Sequence, residues 1–144
     1  MMKISNDTKD VLKNFSTINS GIRVKTGNKL ETISNMKNIL AVATVAEDFP
    51  QDFSIYNLPE FLGATSLMEN PEFNFGSASL SIKDAYSTMD YHYASEGMVT
   101  APEKIITMPD TEINFDVTSE LLVDLQKASS VLGVNDLVLE SDGT

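Results

Sequence analysis

The sequence predicts an α+β fold, antiparallel sheets with helices on one face, and three observations carry that expectation. The periodicities run in the order helix, strands, helix, strands. Most of the strand stretches alternate apolar with polar residues, as antiparallel sheets with one solvated face require. After residue 110 the pattern starts again, so a second, similar domain is expected to begin within the 144 residues. A hydrophobic share of 42 % supplies a packed core and argues against a disordered acidic chain.

Ser5 is placed to cap the first helix, Asp7 complements the helix dipole, and Gly21 is the expected stop. Val11, Leu12, Phe15 and Ile18 form its apolar face, and Asn6, Lys9, Lys13 and Thr17 project from the opposite side. Ile22 to Lys25 alternates as a strand, Gly27-Asn28 reads as a hairpin turn, and Lys29 to Ser34 follows as the next strand. Asn35 to Asn38 is a polar turn. The run Ile39 to Val45 is short, apolar and β-branched, as a well-buried strand would be, and completes a three-stranded meander. Glu47 to Gln51 interrupts, and Phe53 to Tyr56 is a further short strand.

Asn57 caps a second helix with Pro59 in its first turn, Leu58, Phe61, Leu62 and Thr65 on one face, and Gly63 weakening it by up to about 1 kcal/mol. Three strands follow: Glu72 to Phe75, Ser79 to Lys83 and Tyr86 to Tyr93. Gly97, Pro102 and Pro109 mark a connector, so the expected division is residues 1–98, a connector at 99–110, and 111–144. Ile113, Phe115 and Val117 alternate as a strand. Thr118 or Ser119 caps a helix striped by Leu121, Leu125, Ala128 and Leu132, and Gly133 stops it. Leu137 to Glu140 reads as another strand and Asp142-Gly143 as a hairpin turn. The two halves match in pattern: 22 residues separate Ser5 from Gly27, and 25 separate Thr118 from Gly143. A half-built second domain cannot bury a core alone, so the chain is expected to be the N-terminal piece of a longer two-domain protein.

The charge is uneven. The chain carries 10 basic and 21 acidic residues, net −11, yet residues 1–37 hold seven bases and three acids, net +4, leaving −15 for the rest. An acidic protein with one basic surface can confine a polyanion to that surface. There is no cysteine, no apolar run near the roughly 18 residues a membrane span needs, and no signal-peptide core, so a soluble intracellular protein is expected. No GxxxxGK[ST], GxSxG or HExxH occurs, and no cofactor is expected. His92 is the single histidine and reads as an ordinary strand position, which leaves His-based metal sites without parts. An acidic cation site around Asp84 and Asp90 would make a metal-dependent, nuclease-like enzyme, and an acidic protein-interaction module is the other alternative.

MKISNDTKDVLKNFSTINSG, then SIYNLPEFLGATSLM, then VTAPEK, resembles the sliding clamps of T-even-type bacteriophages, with Lys13 to Gly21 and Phe61 to Gly63 the most specific blocks. The resemblance runs in register over nearly all the chain. It implies a clamp fold of two similar domains per subunit, a homotrimeric ring when full length, and a non-enzymatic processivity factor in the cytoplasm of an infected bacterial host. The implied partners are double-stranded DNA, bound without sequence preference, the replicative DNA polymerase and the clamp loader, with no membrane. On this reading Lys3, Lys9, Lys13 and Lys127 meet DNA, though Asn6 and Ser130 stand where the family would have basic residues. Val99, Ile105, Ile106 and Met108 would line a groove for a partner's peptide.

Overall fold

Ser5 caps the first helix as its position predicts: its backbone is extended (φ −65°, ψ 161°) and its Oγ accepts the Thr8 N–H at 3.3 Å. The helix, α1 (Asn6–Ser16), ends well before Gly21, with Thr17 as C-cap and the N–H groups of Ile18 and Asn19 turning back to the Phe15 carbonyl. Gly21 is therefore not a helix stop; its lack of a side chain serves another purpose, described below. The computed structural model describes residues 1–143 and separates into two units, Met1–Ile105 and Ile106–Thr144. In the first, α1 is followed by β1 (Ile22–Val24), β2 (Gly27–Ile33), β3 (Leu40–Phe49), β4 (Phe53–Ile55), α2 (Leu58–Ser66), β5 (Glu72–Phe75), β6 (Ser79–Lys83) and β7 (Thr88–His92). Every strand pair is antiparallel, and the class is α+β.

The pairing departs from the expected meander. β1 pairs with β4, Ile22 opposite Ile55 and Val24 opposite Phe53, while β2 pairs with β3. Gly27 is not a hairpin tip: it opens β2 at φ 109°, opposite Phe49. The cause lies one residue earlier. Asp52, in the loop between β3 and β4, accepts the Thr26 N–H at 2.7 Å and its hydroxyl at 2.8 Å, which brings β4 alongside β1. The Thr26 bonds, joined by the nearby charges of Lys25 and Arg23, hold the Asp52 carboxyl below its usual range.

β3 also differs from expectation. It runs on through Glu47 and Asp48 to Phe49, and Val42 is 50 % exposed and Ile39 is exposed too. A strand at the edge of a two-stranded sheet, packed on one face only, buries alternate residues, here Val45 and Phe49, however apolar its sequence. The three strands predicted after α2 are present as β5, β6 and β7, and they pair in that order into one three-stranded sheet, with Phe73 opposite Ile82 and Ile82 opposite Met89. β7 starts two residues later than expected because Asp84 accepts the N–H groups of Tyr86 (2.9 Å) and Ser87 (2.7 Å) and bends the tip. Those bonds hold its carboxyl at about 2.

Asn57 caps α2 through the Glu60 N–H at 3.2 Å, and Leu58, Phe61 and Thr65 are its buried residues, with Gly63 on the exposed side. The core lies where the helices meet the sheets and is rich in rings: Phe53 packs on Phe49, Phe75 and Tyr93, and Phe61 on Phe73 and Tyr91.

The second unit contains α3 (Ser119–Leu132), capped by the Thr118 hydroxyl on the Leu121 N–H at 3.2 Å and ended by Gly133 at φ 65°, as the sequence predicts. The segments Ile113 to Val117 and Leu137 to Glu140 are not strands; a β ladder needs a partner, and neither segment has one among the described residues. The stripe residues Leu121 and Leu132 are accordingly exposed. The Asp142-Gly143 turn would be completed by Thr144, which lies outside the described residues.

Candidate nucleic-acid interface

Three side chains of α1 are buried, Thr8, Leu12 and Phe15, and they set its rotation on the sheet. Lys9 and Lys13, four residues apart, follow from that rotation. Lys9 is half-buried, not opposite the packed face as the periodicity suggests, and with Lys13, which is exposed, it lines a cleft against Leu62, Thr65, Ser66 and Met68 on the α2 side. Long aliphatic stems beside Leu62 and Met68 leave the ammonium groups to reach water. Asp10 lines the same cleft and tempers its charge.

What holds α1 in this orientation is Glu47, which lies within β3 and not in the interruption that the sequence predicts there. It accepts the Ser5 N–H at 2.5 Å on one oxygen and the Thr8 hydroxyl on the other. A carboxylate at a helix N-terminus also complements the helix dipole. Burial pushes its carboxyl up, but the bonds from Thr8 and Ser5 outweigh this and leave it below the ordinary 4.5. A signal was present: Glu47 shares the inward phase of Val45 and Phe49, and a carboxylate there demands a partner. A depressed carboxyl contributes stability that is present above the unfolded value and lost as pH falls through the folded one. Glu47→Gln should thus cost about 1 kcal/mol at pH 7, a figure reduced for partial exposure. Urea midpoints of the two proteins should converge as the pH drops below 4.5.

The other candidate residues lie elsewhere. Lys3 is 3.8 Å from Glu72, an exposed pair of little energetic weight. Lys127 is exposed on α3 in the second unit. The basic excess of residues 1–37 is not one surface, because Lys25 and Lys29 line a different cleft with Glu103 and Lys104, and Lys29 is paired to Glu31 at 2.8 Å. Of the residues expected to line a partner groove, Val99 is half-buried beside Gly21 and Ile105 is 93 % exposed at the edge of the Lys25–Lys29 cleft. Ile106 and Met108 are exposed in the second unit, so the structure does not gather the four into one groove within either unit.

The acidic alternatives gain no support. Asp84 directs its oxygens to the backbone N–H groups of Glu69, Tyr86 and Ser87, and Asp90 and His92 lie on β7, His92 exposed. Among the described residues no three His, Asp or Glu side chains converge into a metal-binding group.

The model of the DNA polymerase processivity factor family matches residues 5–100, from the cap of α1 to the segment that follows β7. The chain belongs to that family. Two phage proteins extend the similarity beyond the matched region. The sliding clamp of Vibrio phage KVP40 is 34 % identical over 145 residues, covering 98 % of this chain and 66 % of its own length. That of Enterobacteria phage T4 is 34 % identical over 140 residues, covering 96 % and 61 %. The resemblance to T-even-type clamps is thereby borne out, and the chain spans less than two thirds of the length of the relatives it matches. No helix among its described residues is long and apolar enough to cross a membrane.

Proposed function

We propose that the chain is the N-terminal portion of a sliding clamp that, when complete, closes as a homotrimeric ring around duplex DNA and tethers the replicative polymerase without catalysing a reaction. The observation that carries this is the collinear match to phage sliding clamps over 96 to 98 % of the chain. Residues 1–98 are the first clamp domain, 99–110 the connector and 111–144 the start of the second domain. Lys9 and Lys13, with Lys127 and more weakly Lys3, meet phosphates through loose, water-mediated contacts, because a clamp that displaced many counterions at each position would grip DNA and slide poorly. The polymerase and the clamp loader dock near the connector at Val99, Ile105, Ile106 and Met108, in the cytoplasm of the infected bacterial host.

The topological test is direct. Loaded on nicked circular duplex, the intact clamp should travel with DNA through gel filtration and should be lost once the circle is cut. Equal retention on linear and circular DNA would overturn the encircling mode.

A further inference from the structure

Asn19, just beyond the end of α1, is 5 % exposed, and a buried amide must satisfy its donors and acceptor within the protein. It does so across three segments. Its Nδ2 donates to the Ile33 carbonyl of β2 at 2.9 Å and to the Thr100 carbonyl at 3.0 Å, and its Oδ1 accepts the Gly21 N–H at 2.9 Å. The same stretch, residues 99–102, is held at two further points. At Gly21 an added Cβ would stand 3.0 Å from Cγ1 of Val99, so the missing side chain admits Val99. Pro102 is buried, and its carbonyl accepts from the Arg23 guanidinium at 3.5 Å. Arg23 and Gly21 could be replaced by other packing, but an amide that donates to two carbonyls at once has few substitutes among side chains of that size.

We propose that Asn19 is a positioning residue: its amide locks residues 99–102 to α1 and β2 and so fixes the direction in which the chain leaves the first unit. The significance of this lock rests on the clamp reading above. In a head-to-tail ring every subunit repeats one rotation, and a departing segment free to swing yields open arcs in place of closed rings.

The lock can be measured in the 144-residue chain, whatever its assembly. Lys104, exposed two residues past buried Pro102, is a trypsin site whose cleavage quickens when the segment lifts, because the protease must draw the residues before the cut into its cleft, and exposed Lys37, in the β2–β3 turn, is an internal reference. Asn19→Asp keeps the acceptor for Gly21 but sets an oxygen against two carbonyls. Asn19→Ser, the milder change, retains an acceptor and cannot donate to both. Each should raise native-state cleavage after Lys104, relative to Lys37, by roughly tenfold or more, since each buried hydrogen bond removed favours local opening several-fold. Val99→Ala, which leaves the amide bonds intact, should change the ratio far less. An unchanged ratio in a folded Asn19→Ser chain overturns the proposal, as does an equal rise in Val99→Ala. In the intact clamp, electron microscopy of Asn19→Ser should show open arcs where the unaltered protein shows closed rings. Failure of the unaltered protein to form rings would count against the clamp reading and not against the lock, which the cleavage ratio decides.

Discussion

Phe73→Ala should destabilise the first unit by about 3–5 kcal/mol, the usual cost of emptying a fully buried aromatic site. Phe73 is 1 % exposed, its ring lies 6.5 Å from that of Phe61 on α2, and its N–H and C=O both bond to Met2, at 2.8 and 2.9 Å. Alanine keeps those backbone bonds, so the effect isolates the side chain and the cavity beneath α2. Against a typical domain stability of about 5–15 kcal/mol the cost is large. A second consequence follows from position if the proposed clamp function holds: α2 forms one wall of the Lys9–Lys13 cleft, so its loosening should weaken the intact clamp's association with DNA before global unfolding. Urea denaturation followed by circular dichroism gives the number, and a change under about 1 kcal/mol would mean that the surrounding side chains collapse into the space.

In the intact clamp, replacing Lys9, Lys13 and Lys127 together by Glu should weaken association with all duplex sequences alike and flatten its salt dependence. The expected change is roughly 0.9 log units in affinity per log unit of salt for every phosphate that a lysine neutralises directly and the glutamate does not. Water-mediated contacts predict a smaller change than three full contacts would give. Lys13 and Lys127 are exposed and the Lys9 ammonium can reach the cleft mouth, so folding should survive. Normal processive synthesis by the triple variant across a salt series, with rings intact, would refute the assignment of these lysines to DNA.

Local signals were legible where a few neighbouring residues settle the outcome. Ser5, Asn57 and Thr118 each cap the helix that their sequence position predicts, because a cap needs only its own side chain and an N–H three residues on. Gly133 ends α3 for an equally local reason. Lys9 and Lys13 could be placed on α1, but not beside α2, since a helix's periodicity constrains its own faces and says nothing of the neighbour that covers a flank. The roles of Glu47 and Asn19 were not legible because each acts on residues far along the chain: Glu47 on Ser5 and Thr8, Asn19 on Ile33 and Thr100.

By itself the sequence determined the α+β class, the three capped helices, the stretches that become β5, β6 and β7 and, through its collinear blocks, the processivity factor family. Only the tertiary structure decided that β1 pairs with β4 and β2 with β3, that the apolar run of β3 stays half uncovered, and that a carboxylate and an amide hold α1 and the departing chain in place. The physical reason is one of range. Caps and periodicity are settled within a turn or two of backbone, whereas strand partners and buried polar bonds are selected by which distant groups satisfy each other once the core has closed.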